Sequence, residues 1–162
     1  MRRPLLCLAS LILAAPLAHA QEPIPYGEPI KLEAALKLVS AAEAEARKNK
    51  WPVAIAVVDG SGFLVAFHRI DNTQLGSIEI AVEKAKTSAK FRRPTKYFED
   101  AVAQGGVGLR SLAIGVIPID GGLPILSEGK LIGAIGVSGV RPDQDAQVAK
   151  AGLTALEAAA KP

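Results

Sequence analysis

The sequence predicts an α+β fold, in which an antiparallel sheet is packed on one face by helices. Three observations support this prediction. Apolar residues recur at helical spacing in several separate segments, and two pairs of apolar runs are each joined by a tight turn. The chain also lacks the helical crossovers that parallel strands need. The predicted order of elements is αββααβββα.

The first half of the predicted domain contains one helix and one hairpin. The helix covers residues 29–49, where apolar residues recur every three or four positions between charged ones. Residues 53–58 then form a largely β-branched run, and the turn at residues 59–62 reverses the chain into residues 63–70. Two apolar runs joined by a short glycine-containing turn predict a hairpin.

The second half contains the remaining helices and strands. A second helix is predicted up to about Phe91, with capping side chains offered by residues 71–73, and a third helix over residues 95–103. The glycine-rich residues 105–108 predict a mobile loop. The last helix is predicted over residues 143–160. Before it come three short predicted strands, which cover residues 111–118, 123–127 and 131–137.

The start of the chain has the three parts of a secretory signal peptide. Basic residues at positions 2 and 3 precede an apolar run over residues 5–17, and small residues flank a cleavage site after Ala20. We therefore expect a periplasmic or secreted protein, with the general and the twin-arginine export routes both open. The expected organisation is a signal peptide, an extended segment and one globular domain, at residues 1–20, 21–29 and 30–162.

Removal of the signal peptide changes the chemistry of the chain. It takes away two of the 19 basic residues and none of the 16 acidic ones, which leaves a net charge of +1 on 142 residues. The basic pI of about 9.1 for the whole chain therefore indicates no nucleic-acid partner. Cysteine, methionine and His19 are lost too, which excludes disulfides and Cys/His zinc sites from the mature chain. No later apolar run approaches the roughly 20 residues of a membrane span.

His68 is then the single imidazole of the mature chain. It lies on the second strand of the first hairpin, where alternation places it on one face with aliphatic side chains. A structural histidine is the simpler interpretation. The functional alternative is that His68 supplies the nitrogen ligand of an iron porphyrin, with Tyr26 and Tyr97 as the phenolate alternatives.

Charged side chains near His68 offer a second pair of interpretations. Arg69 and Asp71 point the same way at the end of the strand, so they could form an ion pair while Asp71 caps the next helix. In the functional alternative, Arg69 and the helix N-terminus near Thr73 hold a ligand carboxylate. Arg69 or Lys84 could also reach a haem propionate with a charge-assisted hydrogen bond.

Acidic and glycine-rich motifs complete the set of candidates. Glu79 and Glu83 lie one helical turn apart and could jointly bind iron, although a solvated acidic face is the simpler interpretation. Gly121 and Gly122, followed by Pro124, could line a ligand or form a tight turn.

The glycines of the last predicted strand have a different meaning. Gly133 and Gly136 lie within that strand and do not lie between a strand and a helix N-terminus, as a phosphate loop requires. Close packing of another element against this strand is therefore the predicted role of these glycines.

Five short motifs occur in order along the chain, and Asp145, Ala149 and Gly152 follow them in the last predicted helix. The motifs are Val57-Val58-Asp59 with Gly62, Arg69-Ile70-Asp71, the run from Ala81 to Thr87, Gly121-Gly122-Leu123-Pro124-Ile125, and the run from Ile132 to Gly139. Together they resemble the haem-binding HbpS/GlcG family, which also includes the C-terminal domain of PduO-type proteins. The resemblance covers residues 32–156.

This resemblance implies a profilin-like domain that forms symmetric homo-oligomers. It implies haem binding in secreted members, together with haem degradation or storage of released iron. We therefore expect an exported protein that sequesters haem. The alternatives are a module that binds a small metabolite and a module that contacts a membrane sensor protein.

No nucleophile or catalytic triad in the sequence supports an enzyme, so catalysis is left open. The expected haem-binding residues are His68, Arg69, Lys84, Gly121, Gly122 and Pro124, and the expected iron ligands are Glu79 and Glu83.

Overall fold

A computed structural model describes residues 22–159. The predicted signal peptide, residues 1–20, lies outside this range. Within it, no helix is both long and apolar enough to cross a membrane. The elements are α1 (Leu32–Lys48), β1 (Ala54–Asp59), β2 (Leu64–Arg69), α2 (Gly76–Phe91), α3 (Lys96–Ala103), a 3₁₀ helix (Gly106–Ile114), β3 (Gly122–Ser127), β4 (Lys130–Ser138) and α4 (Pro142–Ala159).

The four strands form one antiparallel sheet in the order β2-β1-β4-β3. Its centre is β1, where Ile55 lies opposite His68 of β2 on one side and Val137 of β4 on the other. The two predicted hairpins are present as β1–β2 and β3–β4. The α+β class and the antiparallel sheet are thus confirmed, and β2 and β3 are the edge strands.

Helices cover both faces of the sheet, so the expectation of helices on one face is wrong. Ile55 and Val57 of β1 pack beneath α1 and α4, whereas Ala54 and Ala56 face α2. The sequence contains the reason. Residues 53–58 are an uninterrupted apolar run, which is typical of a strand buried on both faces, whereas a strand with one wet face alternates.

The strand predicted at residues 111–118 is also wrong. Residues 106–114 form the 3₁₀ helix instead, and none of its residues is buried. Gly105, Gly106 and Gly115 have φ values of 70°, 56° and 71°, a conformation that glycine adopts without steric cost and that bends the chain away from the sheet. Apolar periodicity alone cannot distinguish so short a run from a strand.

Two smaller expectations fail for local reasons. The predicted loop at residues 105–108 is the beginning of the 3₁₀ helix. The second helix begins later than its polar start signal indicates, with Leu75 at the N-cap position and no side-chain cap. Asp71 therefore does not cap it, and the Thr73 hydroxyl donates a hydrogen bond to the Ile70 carbonyl at 2.6 Å.

The predicted close packing against β4 is confirmed at Gly136. A Cβ atom on Gly136 would lie 2.0 Å from the Ala81 carbonyl oxygen and 2.5 Å from the Ala85 nitrogen, both in the backbone of α2. Such distances lie far below van der Waals contact, so only glycine permits this approach of helix to strand. The layer between α2 and the sheet is consequently thin and made largely of alanines.

We predict that Gly136→Ala lowers the free energy of unfolding by about 2 kcal/mol or more, because α2 must move away from β4. Urea denaturation followed by circular dichroism measures the change. Gly76→Ala is the matched control, because Gly76 begins α2 with no heavy atom within 4 Å of the added Cβ. Its effect is expected to stay within about 0.5 kcal/mol. Equal effects of the two substitutions would contradict the packing argument.

Candidate functional site

The imidazole of His68 lies near the end of the edge strand β2, on the face covered by α1. Its Nδ1 lies 2.5 Å from Oε2 of Glu43 in α1. The other oxygen of this carboxylate, Oε1, accepts hydrogen bonds from Nε and Nη2 of Arg47, each at 2.6 Å. Because Arg47 is one turn further along α1, the three side chains form one continuous polar chain.

Electrostatics determine which nitrogen of His68 carries a proton. Hydrogen bonds from His68 and Arg47 hold the pKa of the Glu43 carboxyl below its usual range, so Glu43 is a carboxylate near neutral pH. A carboxylate only accepts hydrogen bonds, and Nδ1 must therefore be the donor. In the neutral ring Nε2 then has a free lone pair, and no hydrogen bond from residues 22–159 engages it. The His68 side chain is 37% exposed.

A cavity of about 330 Å³ adjoins this polar chain at Arg47, the one of its three side chains that lines the cavity, and we call it the β2-edge cleft. It contains one tryptophan, two cations and one acid. Its lining residues are Arg47, Lys50, Trp51, Pro52, Ile70, Asp71 and Asn72. Apolar walls with cations at the rim suit a flat ligand that carries negative groups.

The end of α1 positions the cations and the tryptophan of this cleft. Lys50 takes the left-handed conformation, with φ of 58°, and the Trp51 nitrogen donates a hydrogen bond back to the Ala46 carbonyl at 2.9 Å. This arrangement ends the helix and turns the chain towards β1. Trp51 is thereby brought against the core beneath α1, and Lys50 stays at the rim.

Arg69 and Asp71 are placed differently from the expectation of a local ion pair. No ion pair joins them among the described residues, and both side chains are exposed. Arg69 follows His68 in the strand and therefore points to the other face of the sheet. The cations on the cleft side are Arg47 and Lys50, neither of which sequence analysis identifies.

Lys84 lies in the interior, which corrects the expectation that it could reach a propionate. Its side chain is 1% exposed, and its ammonium donates hydrogen bonds to Asp145 at 2.8 Å and to the Val137 carbonyl at 2.9 Å. Burial raises the pKa of the Asp145 carboxyl to about 6, although Lys84 acts in the opposite direction. The Lys84 ammonium is therefore engaged in buried hydrogen bonds within the protein and is not available to a ligand.

The Gly121–Gly122 motif packs around this ion pair. Gly121 has φ of 117°, and a Cβ atom there would lie 2.8 Å from the Cβ of Asp145 and 3.0 Å from the Lys84 ammonium nitrogen. Gly122 donates a backbone hydrogen bond to the Thr95 hydroxyl at 2.9 Å. Both glycines are buried, which matches the tight-turn interpretation rather than a surface that lines a ligand.

Pro124 lines a larger cavity, of about 640 Å³, at the opposite edge of the sheet from His68. Leu126, Leu153 and Leu156 supply apolar walls, and two carboxylates, Glu128 and Glu157, also line it. No imidazole and no cation contributes to this lining. The cavity therefore disfavours an anionic ligand.

The two proposed iron ligands are not part of a larger acidic cluster. Glu83 forms an ion pair with Lys86 at 2.7 Å, and Glu79 is exposed. Among residues 22–159 no group of three His, Cys, Asp or Glu side chains could hold a metal ion. Iron binding by Glu79 and Glu83 stays a prediction.

Both tyrosines lie near the end of α2, far in the sequence from His68. The Tyr26 hydroxyl donates a hydrogen bond to the Lys90 carbonyl at 3.3 Å, and Arg92 lies over its ring. Arg93 lies over the ring of Tyr97. A cavity of about 360 Å³ opens here, and we call it the α2–α3 cleft. Its lining residues are Glu22, Pro23, Ile24, Phe91, Arg92, Arg93, Pro94 and Tyr97.

Comparison with known proteins identifies the family. Residues 30–154, most of the chain, match the family described as haem degrading protein HbpS-like. The chain belongs to the HbpS-like family. The resemblance inferred from the ordered motifs is thereby confirmed.

Individual relatives of this HbpS-like chain agree with the assignment. Protein GlcG of Escherichia coli (strain K12) is 40% identical over 101 residues, which cover 62% of this chain and 75% of GlcG. A double mutant of Streptomyces reticuli HbpS superposes with a TM-score of 0.72 at 30% identity, covering 90% of this chain and 97% of that one. A PduOC:heme complex superposes with a TM-score of 0.71 at 28% identity, covering 78% and 94% of the two chains.

Glu43, the hydrogen-bond partner of His68, is a further residue that the sequence does not predict. It lies 25 residues from His68 in another element, so no local spacing joins the two. One signal was available. Glu43 lies on the helical face that carries the buried residues Val39, Ala42 and Ala46, where a carboxylate needs a partner.

We predict that Lys84→Met lowers the free energy of unfolding by about 3–5 kcal/mol, because it leaves the buried Asp145 without its partner. The double variant Lys84→Met/Asp145→Leu is expected to recover most of that loss, since no unpaired charge then remains. Urea denaturation of all variants measures both effects.

The control for this cycle is Lys86→Met. Its ion pair with Glu83 is partly exposed, and its effect is expected to stay within about 1 kcal/mol. A double variant that is less stable than Lys84→Met would contradict the role given to the buried pair.

Proposed function

We propose that this HbpS-like protein binds haem at the β2-edge cleft, with Nε2 of His68 as the axial ligand of the iron. The observation that carries the proposal is the 2.5 Å contact between Nδ1 of His68 and the Glu43 carboxylate. This contact leaves Nε2 of His68 without a hydrogen bond among the described residues and partly exposed, two positions before Ile70, which lines the cleft.

The hydrogen bond to Glu43 supports ligation instead of competing with it. Histidines that bind metals almost always donate their other ring N–H to a carboxylate or a carbonyl, which fixes the tautomer and the ring orientation. Arg47 holds the Glu43 carboxylate in turn, through two of its nitrogens. A structural and a functional role of His68 are therefore compatible.

The lining of the β2-edge cleft matches the chemistry of a porphyrin. Trp51, Pro52 and Ile70 provide apolar contact for the ring, and Arg47 and Lys50 can donate charge-assisted hydrogen bonds to the two propionates. The larger cavity at the β3 edge has no cation in its lining and lies across the sheet from His68. His68 and the cations favour the smaller cleft.

The relatives support the choice of ligand. A structure similar over 78% of this chain is a PduOC:heme complex, and the family is described as haem degrading. Bound haem would supply reversible redox chemistry and ligand binding at its iron. The chain's own part is to hold the iron through His68, to hold that imidazole through Glu43, and to cover one porphyrin face.

The proposal includes export and self-association. Export rests on the signal-peptide pattern of residues 1–20, with a mature protein that begins at Gln21 and acts in the periplasm or outside the cell. A symmetric homo-oligomer is supported by apolar side chains that the 3₁₀ helix exposes at the surface, Val107, Leu109, Leu112 and Ile114. Haem degradation stays a prediction from the family resemblance.

We expect His68→Ala to shift the Soret band of the haemin complex and to weaken haemin binding by about tenfold or more, ~1.4 kcal/mol. Titration of the mature protein with haemin, followed by absorbance, measures both quantities. The reason is that no other imidazole, thiolate or thioether remains in the mature chain.

Tyr97→Phe is the control in the same titration, and its spectrum and affinity should match those of the parent. A shifted spectrum in Tyr97→Phe with an unchanged one in His68→Ala would reject imidazole ligation in favour of a phenolate. No spectral change in either variant would mean that haem adheres without a protein ligand, and would also reject the proposal.

Glu43 is a positioning residue in this proposal. We expect Glu43→Gln to weaken haemin binding by about tenfold and to raise the iron reduction potential, because a neutral amide no longer strengthens the donor character of His68. Potentiometric titration reads the potential, and nitrogen NMR of the haem-free protein reads the tautomer of His68.

Glu45→Gln is the matched variant on the same helix. The Glu45 carboxylate bonds Asn49 and Gln147, and it has no contact with His68. Equal haemin affinities and reduction potentials in Glu43→Gln and Glu45→Gln would contradict the positioning role of Glu43. The His68→Ala variant tests ligation by His68 separately.

A further inference from the structure

A second candidate site lies at the α2–α3 cleft, outside the β2-edge cleft and independent of haem. Its distinctive feature is a pair of consecutive arginines, each lying over a tyrosine ring. The Arg92 guanidinium carbon lies 5.0 Å from the centre of the Tyr26 ring, and that of Arg93 lies 4.4 Å from the centre of the Tyr97 ring. Arginine over an aromatic face is held in place at little entropic cost.

The backbone fixes Arg92 as firmly as the stacking does. Arg92 ends α2 in the left-handed conformation, with φ of 54° and its nitrogen donating to the Ser88 carbonyl. For a residue with a side chain this conformation costs roughly 1–2 kcal/mol. The Arg92 side chain offsets the cost through the Tyr26 ring and through a 2.8 Å hydrogen bond from Nη1 to the Ile24 carbonyl.

The segment that contains Ile24 and Tyr26 is itself anchored to the sheet. Leu131 of β4 donates to the Pro25 carbonyl, and Gly27 donates back to the Leu131 carbonyl, each at 2.8 Å. This extended segment forms one wall of the cleft, and the end of α2 with Arg93 and Pro94 forms the other. The cleft is therefore built by two anchored segments.

Its charge is unbalanced. Within residues 22–159, no acidic side chain forms an ion pair with Arg92 or Arg93. Other basic side chains at the surface, such as Lys37 and Lys86, pair with an acidic neighbour on the same helix. Glu22 also lines the cleft and leaves a net charge of +1 there. Nε of Arg93 donates to the Phe91 carbonyl, so its two Nη atoms stay available as donors.

The remaining walls are apolar. Pro23, Ile24, Phe91 and Pro94 are apolar, and the polar side chains of the lining are the two arginines, Glu22 and the phenol of Tyr97. A ligand that fits must carry one negative group for an arginine fork and an apolar body for these walls. Glu22 leaves the cleft with a net charge of +1, which a monoanion balances, whereas a dianion such as phosphate would leave an excess negative charge.

We propose that the α2–α3 cleft binds a small organic monocarboxylate with an apolar body. The Arg93 fork donates to the carboxylate, and the body lies against Pro23, Phe91 and Pro94. Arg92 contributes positive charge and holds the wall that contains Ile24. The cavity of about 360 Å³ has room for a ligand the size of benzoate.

The test uses benzoate as the probe and the haem-free mature protein, with isothermal titration calorimetry and NMR of the arginine side chains. Saturable binding of benzoate is expected, with shifts at Arg92 and Arg93. Benzamide, the neutral isostere, and inorganic phosphate are expected not to bind. Arg93→Gln should weaken benzoate binding by about tenfold, ~1.4 kcal/mol.

Arg110→Gln is the matched control, because Arg110 is an exposed arginine of the 3₁₀ helix outside the cleft. It should bind benzoate as the parent does, and circular dichroism confirms that both variants fold. Equal binding of benzoate and benzamide, equal loss in the two glutamine variants, or no saturation would each overturn the proposal.

Haemin separates this inference from the proposed function. Arg93→Gln is expected to bind haemin with the affinity of the parent, and benzoate is expected not to displace haemin. Loss of haemin binding in Arg93→Gln would assign the cleft to haem and overturn the carboxylate proposal. Failure of His68→Ala to affect haemin binding would overturn the haem proposal alone.

Discussion

One buried ion pair, between Lys84 of α2 and Asp145 of α4, constrains the packing around it, because neither charge can lose its partner without cost. The two helices belong to opposite layers, and the pair connects them past the end of β4, where the Val137 carbonyl accepts a further hydrogen bond. Two buried charges are costly unless they are paired in exact geometry. The pair also restricts the residue type next to it, because any side chain at position 121 would clash with Asp145 and Lys84.

A fold held together in its interior leaves the sheet edges available for ligands. At the β2 edge, the strand supplies His68 and the neighbouring helix supplies the carboxylate that orients it. Both elements are regular secondary structure, so the imidazole is held in place in the free protein, which would keep the ordering cost of the proposed haem binding low. In the α2–α3 cleft the arginines are likewise held in place in the free protein, because each lies over a tyrosine ring.

The sequence predicts the elements that have strong apolar periodicity, and it draws attention to residue types that occur once in the mature chain. The helices and both hairpins follow from apolar spacing, and His68 follows from being the last imidazole. Contacts between distant elements are beyond it. Glu43 lies 25 residues from His68, and Asp145 lies 61 residues from Lys84, so neither partner is recognisable from spacing. The 3₁₀ helix is missed because its apolar content resembles a strand.

Pro124 has a consequence for how copies of this protein can meet. It lies in β3, which is an edge strand, and proline offers no N–H to a further strand. An added chain would find a gap in the hydrogen-bond ladder there, which is how natural sheets avoid uncontrolled growth into fibres. Pro124 therefore disfavours extension of the sheet by a further strand at β3.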